Sequence, residues 1–395
     1  MFDKVSSHHA GDSDMANLEK TSSETCSGAR TRRSHRVPRV ELNFRIRDET
    51  TRTAGKQCIE IHGSAVVLQC QLLMRHVPVL LTAVCEQLGR ARYGSPLVFV
   101  DCTLGAGGHF CEILKTTPSL KQAVGCDQDK VAIDIATQRI NTLPNIHFGA
   151  SDSNDQESVR VDIFHANFSF IQNVLESEFN LQHAVDMMLF DLGCSSMQFD
   201  DPERGFSYSR PGPLDMRMNG SLGESAAQLI DRLSVQDLEK VLRFYGDEKE
   251  KDSIRLAKEI KLKRGSGELE TTWDLSALCS RVLGKRQKDP AMKTFQALRI
   301  AVNDEVQVLS DSLTSVPSLM SSGGRLGIIS FHSLECKIAL KFMREWEEQG
   351  IAKMITKKAG IVADRQEVVS NPRSRSARLR VCEFWRPSTR ENEFQ

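Results

Sequence analysis

Short apolar runs, several of them closed by an acid, recur along the chain. Leu97–Val100 ends on Asp101, Ala123–Cys126 on Asp127 and Asp186–Phe190 on Asp191. Val161–Phe164 is a further run. Arg325–Phe331 follows Gly323-Gly324 and leads into His332-Ser-Leu-Glu335. Runs this short, without polar alternation, predict strands buried in a sheet. Between them the apolar spacing changes to that of helices. Val79, Leu80, Val84 and Leu88, stopped by Gly89, open the folded part. A helix from about Phe110 follows the first strand, and one over Ala132–Ile140 follows the second. The polar stretch Gly149–Arg160 reads as a loop. Acids and polar groups at several strand ends belong together on the ligand-binding edge of an open α/β sheet.

More than a hundred residues separate the run ending at Asp191 from the one starting at Arg325, too many for a simple crossover. Asp200–Met218 is irregular, with Pro202, Gly205, Pro211, Gly212 and Pro213. Glu224–Leu233, Val235–Tyr245, Ser253–Lys263 and Trp273–Leu283 then read as helices. Ser234 is an N-cap with Asp237 three residues on, and Gly246 is a stop. Met292–Leu313 reads as one long helix, with Phe295, Leu298, Val302, Val306 and Leu309 on one face. Ser333–Gln349 is another, with Leu334, Ile338, Phe342 and Trp346 at core spacing. The pattern predicts a Rossmann-like α/β sheet domain over 71–203 and 291–385, interrupted by a helical subdomain over 204–290. Residues 1–70 form a disordered, partly basic extension, and 386–395 a short tail.

The first strand leads into Asp101-Cys-Thr-Leu-Gly-Ala-Gly-Gly-His109. Gly105, Gly107 and Gly108 let the backbone turn and approach a ligand with no Cβ in the way. The acid after the second strand, Asp127, is placed to grip a ribose. Two cofactors fit this unit. A dinucleotide wants a third glycine, where this chain has Phe110. S-adenosyl-L-methionine has no phosphate and tolerates the looser loop. A glycine-rich surface turn without a ligand is the plain alternative.

Charge and composition narrow the picture only locally. The net charge is +0, so no polyanionic partner is announced by the whole chain. The basic residues are clustered, however. Lys353–Arg380 ends in Asn371-Pro-Arg-Ser-Arg-Ser-Ala-Arg-Leu-Arg380, and Lys258, Lys261, Lys263 and Arg264 form a second group. Each suits phosphate contacts or a solvated face. The chain has 11 Cys but no Cys-x-x-Cys pair, which argues against a zinc site and for a reducing compartment. No apolar stretch is long enough to span a bilayer, so neither a membrane nor a metal is expected. Arg30–Arg47 fits a mitochondrial matrix-targeting segment. Asp3, Asp12, Asp14, Glu19 and Glu24 spoil that composition upstream. Without such an address the protein would be cytoplasmic.

Several stretches then fall into a known order. They are His76-Val-Pro-Val-Leu, Asp101-x-Thr-x-Gly-x-Gly-Gly-His109, Asp191-Leu-Gly-x-Ser-Ser-x-Gln198, Glu203-Arg-Gly-Phe-Ser207, Gly212-Pro-Leu-Asp-Met-Arg-Met218, Thr294-Phe-Gln-Ala-Leu-Arg299, Ser330-Phe-His-Ser-Leu-Glu335 and Asn371-Pro-Arg-Ser-Arg-Ser376. Over about 76–385 the chain resembles the MraW/RsmH family of small-subunit rRNA cytosine-N4 methyltransferases. Gly193-Cys-Ser-Ser-Met-Gln198 is similar to the family's animal mitochondrial branch. The chain departs from the family's usual pattern at Cys102, Leu104, Ala106, Asp289, Met292, Lys293 and Asp247.

The resemblance implies S-adenosyl-L-methionine held by Gly107, Gly108, His109, Asp127, Phe168, Asp191 and Gln198. It implies methylation of a cytidine in the decoding region of small-subunit rRNA, free or in an assembling small ribosomal subunit, in mitochondria. On that basis Asp191 is the candidate acceptor for an N4–H, and His332 is a candidate for orienting the base or relaying a proton, or else a structural neighbour of a helix N-cap. Arg217, Arg373, Arg375 and Arg378 are candidate RNA-phosphate contacts, and Phe206 and Tyr208 are either base platforms or anchors. The rival readings are a cofactor-binding assembly factor without catalysis, a methyltransferase on another acceptor such as DNA or protein, and a nicotinamide-dependent oxidoreductase.

Overall fold

In a computed structural model that describes residues 78–91, 97–149, 158–284 and 289–385, the apolar runs become neighbouring strands. The expectations for 1–70 and 386–395 lie outside the described residues. The strands are β1 (Leu97–Asp101), β2 (Leu120–Asp127), β3 (Ile146–Phe148), β4 (Val159–His165), β5 (Val185–Asp191), β6 (Met320–Ser330), β7 (Ala352–Met354) and β8 (Arg378–Phe384). They form one sheet in the order β3-β4-β2-β1-β5-β6-β8-β7. The pairs from β3 to β6 are parallel, whereas β8 runs antiparallel to both β6 and β7.

The strand order reverses at β1, which pairs with β2 on one side and β5 on the other. An open sheet leaves its ligand crevice at such a point, outside the carboxyl ends of the strands. Helices α1 (Leu81–Leu88), α2 (Gly108–Thr116), α3 (Lys130–Ile140) and α4 (Ile171–Phe179) connect or cover this half. Phe99 of β1 and Phe110 of α2 are both fully buried, their ring centroids 5.5 Å apart. Asp129 starts α3 by accepting the Val131 N–H, an N-cap worth about 1 kcal/mol.

The long interval is helical, as its spacing predicts. It holds α5 (Ser196–Asp200), α6 (Ala226–Arg232), α7 (Val235–Gly246), α8 (Glu250–Gly265), α9 (Thr272–Leu283) and α10 (Met292–Val302). Ser234 caps α7 by accepting the Asp237 N–H at 3.0 Å. These helices close a second hydrophobic core that includes Leu214, Leu238, Leu242, Ile260 and Leu275. Phe295 and Leu298 of α10 belong to it too, so this core extends past residue 290.

Three local expectations are corrected. Met292–Leu313 is not one helix. It breaks at Asn303-Asp304, where Asp304 takes φ 48°, and resumes as α11 (Glu305–Leu319). The break has a tertiary cause. The Asn303 side chain accepts the Met218 N–H and donates to the Met216 carbonyl, both at 2.8 Å. Gly323-Gly324 is not a turn before the strand but an irregularity inside β6, whose register with β5 shifts between Val185 and Met187. A Cβ on Gly324 would come within 2.8 Å of the Val185 carbonyl oxygen. The third is the end of the basic stretch Lys353–Arg380, read as phosphate contacts or a solvated face. Arg378–Phe384 is β8, in the sheet, with Leu379 and Val381 fully buried. Arg380 is buried, donating to the Lys358 carbonyl and the Ser330 hydroxyl.

Candidate functional site

A cleft of about 760 Å³ opens at the carboxyl ends of β1, β2 and β5, within the usual size of small-molecule sites. Its floor is the glycine loop. The Gly107 N–H closes a turn on the Leu104 carbonyl, and Gly107 takes φ 72°. A Cβ on Gly107 would press on Ala136 of α3 at 3.2 Å, and one on Gly108 would lie 2.3 Å from Pro78. The loop is therefore clamped between α3 and Pro78. His109 completes the clamp. Its ring is buried, with Nε2 2.9 Å from the Val79 carbonyl oxygen and Nδ1 3.6 Å from Asp191 Oδ2.

Three carboxylates end the three central strands. Asp127 Oδ2 accepts the Gly105 N–H and its Oδ1 the Asp129 N–H, both at 2.8 Å. Burial pushes Asp127 up to about 6 despite these bonds. Asp101 is only 1 % exposed. Burial, helped by the neighbouring Asp127, pushes it up to about 7 against its bonds from Thr103. Asp191 is raised well above the ordinary carboxylate range by burial, then by Asp101 and Glu335. Its Oδ1 is buried with no hydrogen-bond partner, while a quarter of the side chain remains exposed.

The remaining cofactor candidates also line the cleft. Phe168 meets Phe190 edge-on, centroids 5.5 Å apart. Gln198 is more committed. Its Oε1 accepts the Ser195 N–H and its Nε2 donates to Asp129 Oδ2, each at 3.0 Å. That carboxylate also takes the Arg204 guanidinium at 2.8 Å, and Arg204 reaches on to the Arg217 and Met218 carbonyls. Gln198, Asp129 and Arg204 thus tie the start of α3 to the irregular segment ahead of the second core. Sequence reasoning missed Asp129 and Arg204. The signal was present in the Glu203–Ser207 stretch and in the second acid after Asp127.

His332 lines the cleft, where a relay or base-orienting group would stand, and it also takes the structural place at a helix start that the sequence offered as the alternative. It caps α12 (Ser333–Glu348), with Nε2 3.0 Å from Glu335 Oε1, and neither ring nitrogen reaches solvent. Glu335 is lowered, against its own burial, by His332 and Arg299. Glu305, His332 and Glu335 bring ligand-type atoms within 4.8 Å of one another. Both Glu305 oxygens are already held by Arg299, at 2.7 and 2.8 Å, so a guanidinium takes the place of a cation there. This is an ion-pair network on the cleft wall, anchoring α10, α11 and α12.

The four arginine candidates separate. Arg373 and Arg375 line the cleft; Arg373 also meets Asp200 at 3.2 Å and lies over the Phe199 ring. Arg217 is folded onto Asp215 in a two-bond pair, at 2.8 and 2.7 Å. Arg378 is half-buried on β8, opposite Ser330. Phe206 and Tyr208 line the cleft as anchors, Phe206 against Phe199 and Tyr208 against Phe295. Two of the four cations of the Lys258–Arg264 cluster are paired with acids, and Lys261 donates to the Ile230 and Asp231 carbonyls. Arg264 holds Asp231 and Glu270, and Lys263 holds Glu268.

The model of the MraW methylase family matches residues 73–385. A ribosomal RNA small subunit methyltransferase H of Sorangium cellulosum is 43% identical over 311 residues, covering 78% of this chain and 90% of that protein. Its counterpart in Halothermothrix orenii is 37% identical, covering 79% and 99%. A solved structure of a putative rRNA-methylase from Clostridium thermocellum covers 79% of this chain and 98% of that one, at 9% identity and a TM-score of 0.36, too low to carry an argument. With the match running through every segment that builds the cleft, the chain belongs to the MraW methylase family.

Proposed function

We propose that the protein transfers a methyl group from S-adenosyl-L-methionine to N4 of a cytidine in small-subunit ribosomal RNA. Family membership and relatives named as small-subunit rRNA methyltransferases support the reaction class and the RNA. The observation that carries the donor is the charge of the cleft. Asp101, Asp127 and Asp191 end adjacent strands, and the charges acting on them are other carboxylates. A cationic ligand suits that rim, whereas a pyrophosphate does not. The position of the third glycine that a pyrophosphate needs is filled by buried Phe110.

When bound, the donor supplies an electrophilic methyl on a positively charged sulfur. Asp127 would hold the ribose hydroxyls with the lone pairs its backbone donors leave free, and Phe168 would pack on the adenine. Gly108 and His109, on the cleft lining, would border the methionine part, with Gly107 shaping the loop behind them. The chain's harder task is to make a nucleophile of N4, whose lone pair is delocalised into the ring. Holding N4 in line with the methyl at ~3–3.5 Å supplies much of the rate. Asp191 supplies the rest. Beside a cation its carboxylate ionises, and its burial makes it a strong acceptor for an N4–H, which draws the lone pair out of conjugation. The target base must leave its stack to enter, at a few kcal/mol. Arg373 and Arg375, at the cleft, would take flanking phosphates. Arg30–Arg47 and the Gly193–Gln198 variant support a mitochondrial small subunit and its decoding region as the target.

The test is methyl incorporation into small-subunit rRNA by the purified protein, with the modified base mapped. Asp191→Ala should slow transfer by about 10²–10³-fold, well beyond the donor affinity it costs as one of the rim's carboxylates. An equal loss of binding and rate would reduce Asp191 to a donor ligand. Donor binding with no transfer to any RNA would favour an assembly factor.

A further inference from the structure

The guanidinium of Arg380 is buried, and its acceptors are neutral. It donates to the Lys358 carbonyl at 3.0 Å, the Ser330 hydroxyl at 3.2 Å and the Cys336 thiol at 3.5 Å. Among the described residues no carboxylate forms an ion pair with it. A buried arginine is ordinarily paired with an acid. Arg299 and Arg325, also largely buried, each hold a glutamate. At Arg380 the fold keeps a positive charge that it does not balance.

The surface around it is basic as well. Arg380 ties the loop that carries Lys357 and Lys358 to the first turn of α12, where Lys337 follows Cys336. Lys341 lies one turn farther along the same face of α12, about 6 Å away. On β8, Arg378 is opposite Ser330. The four lysines are exposed and Arg378 is half-buried, and none of the five is in an ion pair among the described residues. The acids nearby are taken. Glu335 faces His332, Asp364 caps the helix Arg365–Ser370, Glu367 accepts the Leu80 N–H, and Glu383 holds Arg325. The other acids of α12, Glu345, Glu347 and Glu348, stand at its far end.

This face begins at the cleft. Ser330 leads into Phe331 and His332, which line it, and Arg375 and Ser376, also on the lining, lead into Arg378. Cations spread over a helix, a loop and a strand call for an extended polyanion, and continuity with the cleft calls for one that comes out of it. We infer that the face formed by the start of α12, the Lys357–Lys358 loop and β8 is a second RNA contact, which takes the phosphates of the strand leaving the cleft. The inference rests on the reading of the substrate given above. Contacts of this kind position a nucleic acid without reading its bases. A short RNA occupies the cleft alone, whereas a longer one also gains this track. The enzyme thereby favours an extended rRNA over a short one, with the chemistry at the cleft unchanged.

The experiment measures binding of the full chain, over a range of salt, to two RNAs: a short oligonucleotide around the methylated cytidine and a longer small-subunit rRNA fragment that contains it. The variants are Lys337→Gln, Lys341→Gln and Lys358→Gln, singly and together. All three side chains are exposed, so the melting temperature should stay that of the wild type. For the long fragment each change should lower the slope of log affinity against log salt by about one. For the short one the slope should not move. Methyl transfer to the long fragment should show a raised KM at unchanged kcat. An unchanged slope in the triple variant would overturn the inference and leave the cleft reading standing. An equal fall with both RNAs would overturn it too, by placing these lysines at the cleft. Methylation of neither RNA, with the length-dependent slope intact, would overturn the proposed reaction and keep the track.

Discussion

The sheet rim and the helical insert are both rich in charge, but they handle it in opposite ways. At the rim, Asp101 and Asp127 are held by backbone and hydroxyl donors, Asp191 keeps one oxygen without a partner, and each is raised by burial. In the insert the cations sit on acids: Arg264 on Asp231 and Glu270, Lys263 on Glu268, Arg232 on Glu224. Charge balanced within the chain holds helices together. Charge left unbalanced by the chain is a demand on a ligand. Substitutions at the rim should therefore alter binding and its pH dependence, and those in the insert should alter stability or nothing.

Arg204 tests the seam between the two regions, and its loss should be the largest effect. Its guanidinium neutralises buried Asp129, which also caps α3 and holds Gln198. Arg204→Met leaves that carboxylate without its cation and should cost about 3–5 kcal/mol in urea unfolding. A cost below about 1 kcal/mol would mean that solvent reaches Asp129 and that the seam is not built as described.

Asp101→Asn should come next, with the opposite sign. The folded protein raises this group from 3.8 to about 7. A raised carboxylate contributes stability below about pH 4 that is lost as pH rises through about 7. At about pH 8 the wild-type rim carries a buried charge that the variant lacks. The donor-free variant should therefore be more stable than wild type by about 1–3 kcal/mol there, and nearly equal at about pH 4. Unfolding at both pH values checks it; a constant difference would show that Asp101 does not titrate in this range.

How much of this was visible beforehand depends on whether a feature is local. The buried strands were, because Leu97–Val100 and Met187–Phe190 are apolar at consecutive positions, as a doubly covered parallel sheet requires. The acids that close them gave away the rim. Strand β8 was missed because its arginines disguise a period of two, Arg378 and Arg380 alternating with Leu379 and Val381. The break at Asn303-Asp304 could not be seen in spacing, since apolar residues continue through it. It exists because Asn303 reaches back to Met216 and Met218 across 87 and 85 residues of chain. His332 was legible only in part for a similar reason: the motif gave its position at the cleft, but only Glu335 and the packing decide where its nitrogens point.

The cleft edge offers a smaller test. Arg373 and Arg375 line the cleft, and the Arg373–Asp200 pair is exposed enough to be exchanged for a phosphate at little cost. Changing either to Gln should lower the slope of log affinity for small-subunit rRNA against log salt by about one. Arg217→Gln should not, because Asp215 holds that guanidinium by two bonds. A slope that moved with Arg217 and not with Arg373 would reverse the assignment.

The smallest effect belongs to Lys263, where the comparison makes its plainest demand. Lys263 sits in the cluster that composition alone suggests for RNA, yet its ammonium is bonded to Glu268 on the same surface. An exposed pair of this kind contributes about 0.2–1 kcal/mol or less. Lys263→Gln should therefore change stability by no more than that. It should also leave the salt slope of RNA binding where it was, since the charge removed was already matched by Glu268. The paired change Lys263→Gln with Glu268→Gln separates the alternatives. If the ion pair is only structural, the double variant binds RNA as the wild type does. If Lys263 leaves Glu268 for a phosphate in the complex, the single variant loses a contact and the slope falls. In that case the insert is a binding surface whose pairing in the free protein is a resting state.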